Sequence, residues 1–270
     1  MKISIIVPTW NRADKILKTI KSVQNQTYKD WELLICDDGS TDNTKNLILN
    51  LIKQDKRIRW VAGDHTGLPA APRNHGIKNA KGNWLAFLDS DDIWLPEKLE
   101  KQIKSLEKHG LMAACSNAFR FLPSENKKLI YSSFDKKLIS FNDLIKSNLV
   151  VTSSVIFHKS LIKKCIGFPE EIKQRGIEDY SFWLRIATMT DFIYSSEPLL
   201  VYTDDAKNSV RGLDNNNSFL QKEKILKNFL IWSIANKKLF FSIATIIYLI
   251  KNFYYNITYK PKIIIKKYFK

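Results

Sequence analysis

The chain has 270 residues, 44% of them hydrophobic and 26% charged, which is enough for one good-sized core, or for a core with an appendage. Three widely spaced cysteines, Cys36, Cys115 and Cys165, form no CxxC pair, so the chain carries neither a disulfide framework nor a cysteine zinc site and is expected to hold buried thiols in a reducing compartment. The net charge of +16 is uneven: Phe219–Lys270 holds eleven lysines against one acid, Glu223, a local excess of +10 that calls for an anionic surface, membrane or nucleic acid, as partner.

Ile3–Val7 is a continuous apolar, β-branched run, as expected for a strand buried on both faces. Pro8 ends it, and so short a run cannot form the core of a signal peptide, which predicts a cytoplasmic protein. A polar loop, Thr9-Trp10-Asn11-Arg12, leads to a helix with Ile16, Leu17, Ile20 and Val23 on one face. Trp31–Cys36 reads as a second strand, and Asp37-Asp38-Gly39-Ser40-Thr41-Asp42 as a loop able to cap a helix that buries Leu47, Ile48, Leu51 and Ile52. Asp42 itself is expected to be that cap. Ile58–Ala62 is the third strand and Arg73–Ala80 the third helix, stopped by Gly82. Strands alternating with helices over the first 110 residues predict parallel βαβ units.

The next segment, Trp84-Leu-Ala-Phe-Leu-Asp89-Ser90-Asp91-Asp92, is a strand that breaks into three carboxylates, followed by a helix with Leu99, Ile103 and Leu106 on one face. If the strand geometry persists, Asp89 and Asp91 point the same way at the carboxyl edge of the sheet. Two like charges so placed favour a cation between them, and hard oxygen ligands suit Mg²⁺ or Mn²⁺ with a phosphate-bearing substrate. Asp92 reads as a supporting or helix-start acid. Polar residues thus gather at three strand ends (Thr9 and Asn11, Asp37 and Asp38, Asp89 and Asp91), where open α/β sheets bind ligands. No GxGxxG turn accompanies them, and the four histidines lack zinc-binding spacing.

Further along, Leu111–Phe121 and Lys128–Phe134 read as strands, Ser140–Ser147 as a short helix and Thr152–Phe157 as another strand. Glu178 and Asp179 open a helix with Phe182 and Ile186 facing inward. Trp94 and Trp183 suit a core, with Trp183 and Arg185 kept as alternative acceptor contacts. Beyond an Asp-Asn-Asn-Asn linker, Ile225–Ile250 interleaves lysines with large apolar residues. Its longest apolar run is shorter than the ~20 residues a spanning helix needs, so interfacial helices are expected, with the lysine-rich 260–270 as a basic end.

Five motifs in order, Val7-Pro8-Thr9-Trp10-Asn11-Arg12, Cys36-Asp37-Asp38-Gly39-Ser40-Thr41-Asp42, Pro72-Arg73-Asn74-His75-Gly76-Ile77, Phe87-Leu88-Asp89-Ser90-Asp91-Asp92 and Glu178-Asp179, resemble the family 2 glycosyltransferases of GT-A fold. The resemblance implies an α/β fold, a Rossmann-like mixed sheet flanked by helices, with the basic amphipathic helical tail outside its reach. It implies a uridine pocket lined by Pro8, Thr9 and Asn11, uracil recognition by Asp38, a diphosphate contact from Arg73, and Asp89 facing ribose or metal. It further implies Asp91 as the ligand of Mn²⁺ or Mg²⁺ and Asp179 as the catalytic base of an inverting reaction. The expected organisation is a catalytic domain over 1–208 (nucleotide half 1–110, acceptor half 111–208), a linker over 209–218 and a tail over 219–270.

The expected activity is transfer of a hexose or N-acetylhexosamine from a UDP-sugar to a glycan or glycolipid, as in bacterial lipooligosaccharide, capsule or lipid-linked oligosaccharide synthesis, at the inner face of the cell membrane. Two rivals are weaker. A sugar-phosphate nucleotidyltransferase calls for a Gly- and Lys-rich phosphate loop, which Pro8-Thr-Trp-Asn-Arg is not. A nucleic-acid-binding tail calls for arginine, and Phe219–Lys270 contains none, which favours anionic lipid over nucleic acid.

Overall fold

The computed structural model describes residues 1–205 and 218–258, which fall in two compact units, Met1–Asn216 and Asn217–Lys270. The first unit begins β1 (Ile3–Thr9), α1 (Ile16–Gln24), β2 (Trp31–Asp37), α2 (Thr44–Gln54), β3 (Ile58–Val61), α3 (Ala70–Asn79), β4 (Trp84–Phe87), β5 (Ile93–Trp94) and α4 (Lys98–His109). It continues with β6 (Ala113–Leu122), β7 (Lys127–Ile130), β8 (Leu138–Ile139), α5 (Phe141–Leu144), β9 (Ile156–His158), α6 (Ile162–Cys165), α7 (Glu178–Ile186) and β10 (Phe192–Thr203). The sheet runs β3-β2-β1-β4-β9-β6-β10-β5, with β7 on β6 and β8 on β10.

The apolar runs read as doubly covered strands are so: Ile3, Ile5, Ile6, Val7, Leu33, Leu34 and Ile35 are fully buried. The strands β3, β2, β1 and β4 are parallel, as expected from their helical crossovers. Thr9 stands beside Asp37 and Ile6 beside Phe87, so the loops leaving β1, β2 and β4 emerge side by side at one edge. The helix α3 lies close on this sheet because Gly76 has no side chain: a Cβ there would come within 2.4 Å of Ile6 Cγ2 and 2.9 Å of Cys36 Sγ. All three cysteines are buried free thiols.

Several expectations change. Leu17 faces outward, and Thr19 and Ser22 take the inward positions on α1: Thr19 Oγ1 donates to the Asp92 carbonyl at 2.9 Å, and Ser22 Oγ accepts from the Trp94 amide at 3.1 Å. Leu47, Leu51 and Ile52 are half-buried, and Ile48 alone of that set is fully enclosed. Thr152–Ser154 is a 3-10 turn rather than strand, and pairing starts at Ile156. The carbonyls of Ser153 and Ser154 bond the side chains of Trp94 and Gln102, which takes them out of any ladder. The expected helix over Ser140–Ser147 is only α5, opened by a Ser140–Asp143 capping box. Sequence reading missed β10, whose apolar pattern is broken by Ser195-Ser196-Glu197-Pro198, where its register against β6 shifts. Trp183 is fully buried among Phe87, Phe157, Phe168 and Phe182, and Arg185 donates to the carbonyls of Cys165 and Gly167, so neither contacts an acceptor.

The second unit comprises α8 (Ser218–Ala235) and α9 (Leu239–Thr258). Ser233 and Ser242 meet hydroxyl to hydroxyl at 2.8 Å between them, and Lys222 Nζ donates to Tyr248 at 2.6 Å. On α9, Ser242 and Thr245 are buried, and Leu239, Phe240, Ile243, Ile246, Ile247 and Ile250 are exposed. Among the described residues no helix is long and apolar enough to cross a membrane. The expected linker lies, apart from Ser218, outside the described residues, as does the basic end over 260–270.

Candidate active site

The loops leaving β1, β2 and β4 meet α3, the turn before α7 and the end of β10 around a cavity of about 410 Å³. Pro8, Thr9, Asp38, Arg73, Asp89, Asp91 and Asp179 all line it. Asn11 does not. With φ at +50° it turns its amide onto the neighbouring loop, where Oδ1 accepts from the Thr41 amide at 2.8 Å and the Asp42 amide at 3.3 Å. Asn11 therefore clasps two ligand-edge loops together instead of lining the pocket. Asp42 does the capping expected of it, accepting from the amides of Thr44 at 2.9 Å and Ala13 at 3.1 Å.

Asp38 holds the wall beside Pro8. Its Oδ1 accepts from the Thr66 amide at 2.9 Å and hydroxyl at 2.8 Å, and its Oδ2 from the Gly67 amide at 2.9 Å. His65 Nδ1 lies 3.1 Å from Oδ2 and 2.9 Å from the Asp38 carbonyl oxygen, so Nδ1 carries the proton. Three hydrogen bonds, from the Thr66 amide and hydroxyl and the Gly67 amide, thus hold the carboxylate in place. The turn can approach because Gly39, at φ +72°, leaves room: a Cβ there would meet the His65 amide nitrogen at 2.8 Å. Sequence reading missed the result, a stack of Trp10 on His65 with centroids 4.7 Å apart and planes 21° from parallel. Trp10 is 48% exposed, and this aromatic surface beside Asp38 suits a planar ring.

At the opposite wall Arg73 is buried between two acids. Its Nη2 donates to Asp89 Oδ1 at 2.7 Å and its Nη1 to Glu178 Oε1 at 2.8 Å. Burial opposes the guanidinium charge, but Asp89 and Glu178 outweigh it and hold Arg73 more firmly protonated than usual. Arg73 thus ties the loop after β4 to the start of α7. Asn74 secures the preceding segment: its amide donates to the Phe168 carbonyl at 2.9 Å, and its Oδ1 accepts from the Phe168 amide at 2.9 Å.

Asp91 differs from Asp89, because it forms no ion pair among the described residues. Burial and the Asp89 charge raise its pKa, against the pull of Arg12 and Lys15. Arg12 is held near by its Nε, 3.3 Å from Ser90 Oγ. No cluster of three or more metal-ligating side chains exists among the described residues. A carboxylate raised by its neighbour and not neutralised by a partner fits a divalent ion whose other oxygens come from a substrate's phosphates. Asp92 lies fully buried beneath, with Oδ1 accepting from the Thr203 amide at 2.8 Å and Oδ2 unpartnered. Thr203 Oγ1 donates to the Asp91 carbonyl at 2.7 Å, so the end of β10 braces the acidic loop.

Asp179 faces the same cavity. Its Oδ2 accepts from Thr152 Oγ1 at 2.9 Å and its Oδ1 from the Tyr180 amide at 2.7 Å, so the carboxylate is aimed before any substrate arrives. Nothing in the sequence pattern marks Thr152, which reads as the start of a strand and is in fact part of a 3-10 turn.

A family model described as glycosyl transferase family 2 matches residues 4–166. The chain belongs to this glycosyltransferase family. It is 35% identical over 184 residues to Escherichia coli UDP-Glc:alpha-D-GlcNAc-diphosphoundecaprenol beta-1,3-glucosyltransferase WfgD, covering 68% of this chain and 69% of that one. An uncharacterised glycosyltransferase of Rickettsia felis is 34% identical over 239 residues; the match takes in 84% of this chain but only 38% of the Rickettsia protein. In structure, residues amounting to 86% of the chain superpose on 66% of Staphylococcus aureus TarS 1-349, crystallised with UDP-GlcNAc, with a TM-score of 0.71 at 21% identity. That likeness establishes the GT-A fold of this glycosyltransferase.

Proposed function

We propose that this glycosyltransferase moves a hexose or N-acetylhexosamine from a UDP-sugar to a hydroxyl of a lipid-linked glycan acceptor, with inversion, in bacterial surface-glycan synthesis. One observation carries the reading: Asp91, without an ion pair among the described residues, and Asp179, aimed by Thr152, line one cavity together with the Trp10–His65 stack. That spacing of roles suits a nucleotide lying along the wall, its diphosphate near Asp91, Arg12 and Lys15, and its sugar between diphosphate and base. The WfgD relative, named for a UDP-glucose donor and a diphosphoundecaprenol-linked acceptor, supports the choice of both substrates.

In this reaction Asp179 takes the proton of the acceptor hydroxyl as its oxygen bonds to the anomeric carbon, and the bond from that carbon to the diphosphate oxygen breaks with its electron pair leaving on UDP. Attack opposite the leaving group inverts the configuration. Such a base contributes on the order of 10²- to 10⁴-fold in rate. Mn²⁺ or Mg²⁺ held by Asp91 would supply charge neutralisation for the departing diphosphate. Arg73 keeps Asp89 and the start of α7 in register and has no free guanidinium nitrogen pair for the diphosphate.

The exposed isoleucine face of α9, together with lysines such as Lys224, Lys227 and Lys251, suits adhesion to an anionic membrane surface at the cytoplasmic side, where a lipid-linked acceptor would be met. The test is a panel of UDP-sugars with Mn²⁺, read as UDP release and as product NMR. One UDP-sugar should be consumed, with inverted product, and Asp91→Asn should lose the metal-dependent rate. Activity undiminished by EDTA, or a retained configuration, contradicts the proposal.

A further inference from the structure

We propose that Arg175 is the acceptor-recognition residue of this site and that it takes the phosphate of a sugar diphosphate; this rests on the lipid-linked acceptor reading above. Three arginines line the cavity, Arg12, Arg73 and Arg175. Arg73 is neutralised by two carboxylates, and Arg12 stands over the acidic loop beside Asp91. Arg175 is different: among the described residues its guanidinium makes no ion pair or hydrogen bond at any nitrogen, its Nε being buried without a partner, whereas Arg73 leaves only its Nε unpartnered. A guanidinium kept half out of water with nothing to bond is costly unless a ligand completes it.

Its position selects the ligand. Arg175 lies four residues before Asp179, on the turn that leads into α7, so an anion that it binds belongs to the molecule whose hydroxyl Asp179 deprotonates. The turn is firm. Gln174 is buried and accepts through Oε1 from Ser181 Oγ at 2.6 Å, the Arg175 amide donates to the Ile172 carbonyl at 3.1 Å, and the Ile177 amide to the Gln174 carbonyl at 3.0 Å. The same cavity is also lined by Asn148, Val150 and the Tyr131–Tyr202 pair, whose rings meet edge to face at 5.6 Å, and by the acids Asp204 and Asp205, the first of which is paired with Arg120. Aromatic and amide groups suit a sugar, and the planar fork of one guanidinium beside them suits a phosphate at that sugar's anomeric carbon.

The test compares full-length wild type, Arg175→Gln and Arg175→Lys on two acceptors: an alkyl-diphosphate-linked N-acetylglucosamine and the neutral alkyl glycoside of the same sugar. Arg175→Gln should raise KM for the charged acceptor about tenfold or more and leave the neutral one within twofold. Arg175→Lys should recover part of the loss, because it restores charge without the fork. Equilibrium binding of the charged acceptor to UDP-loaded protein should weaken by the same factor, with affinity for UDP unchanged. Equal effects on both acceptors, unchanged binding of the charged one, or a parallel loss of UDP affinity overturns the assignment. Wild type that binds the charged acceptor but transfers nothing to it overturns the reading of the reaction instead, and the binding comparison still judges Arg175. No binding by wild type overturns both.

Discussion

Arg73 Nη1 donates to Glu178 Oε1 at 2.8 Å across 105 residues of chain, and both side chains are buried. The same guanidinium holds Asp89, so one arginine joins the acidic loop after β4 to the helix that carries Asp179. Asp91 and Asp179, the proposed metal ligand and base, come from distant parts of the chain, and this contact holds their two segments together.

Removing that link should be expensive. Arg73→Met leaves Glu178 and Asp89 buried or half-buried without their counter-charge, and a broken buried pair costs about 3–5 kcal/mol. Urea unfolding should show the loss as a lower midpoint. Arg73→Lys should recover only part of it, since a single ammonium cannot span two carboxylates in the geometry of the fork. A midpoint unchanged in Arg73→Met would show that the bridge contributes nothing.

The base and its holder should separate kinetically. Asp179→Asn should cut transfer by roughly 10²-fold or more while UDP binding persists. Thr152→Val removes only the hydroxyl that aims Oδ2, and should lower kcat several-fold with little change in KM for the donor, because misaimed groups lose rate before they lose binding. Steady-state kinetics on both variants checks this, and a Thr152→Val enzyme with wild-type kcat refutes the orienting role.

Asp92 predicts a pH signature. Burial first, and then the charges of Asp89 and Asp91, raise its pKa well above the ordinary carboxylate value of 3.8. The folded state therefore binds more protons than the unfolded state, and stability falls as pH rises from about 4 through the raised value. Asp92→Asn keeps an acceptor for the Thr203 amide and removes the titration. Its stability relative to wild type should be near zero difference at pH 4 and grow into a gain as the pH rises to 7. Denaturant midpoints at pH 4, 5.5 and 7 test the sign, and a gap that shrinks with rising pH contradicts it.

The outward face of α9 should govern lipid binding. Full-length protein should float with anionic vesicles at low salt and partly detach at high salt. Replacing Ile243, Ile247 and Ile250 with serine should abolish flotation, since each buried isoleucine contributes about 1.5–3 kcal/mol. Flotation unaffected by those substitutions would leave the lysines alone responsible.

The sequence by itself determined the parallel half of the sheet and the loops that form the ligand edge. Buried strands read as unbroken β-branched runs, and the register Thr9 beside Asp37 and Ile6 beside Phe87 follows once they pair in parallel. It also marked Asp89 and Asp91, because acids at a strand end stand out against apolar neighbours, whereas Asp179 stood out only through the family resemblance. Only the tertiary structure decided what these groups touch. Asn11 leaves the pocket wall for a clasp, Arg73 is consumed by two carboxylates, and Thr152 leaves a strand to aim the base. The bulged strand β10, which braces the acidic loop through Thr203, has no clean period to read. On α9, apolar residues of the same helix lie inside or outside according to which side meets α8, and there Ser233 and Ser242 bond one another. Such outcomes depend on hydrogen-bonding partners far apart in the chain, and local periodicity carries no information about them.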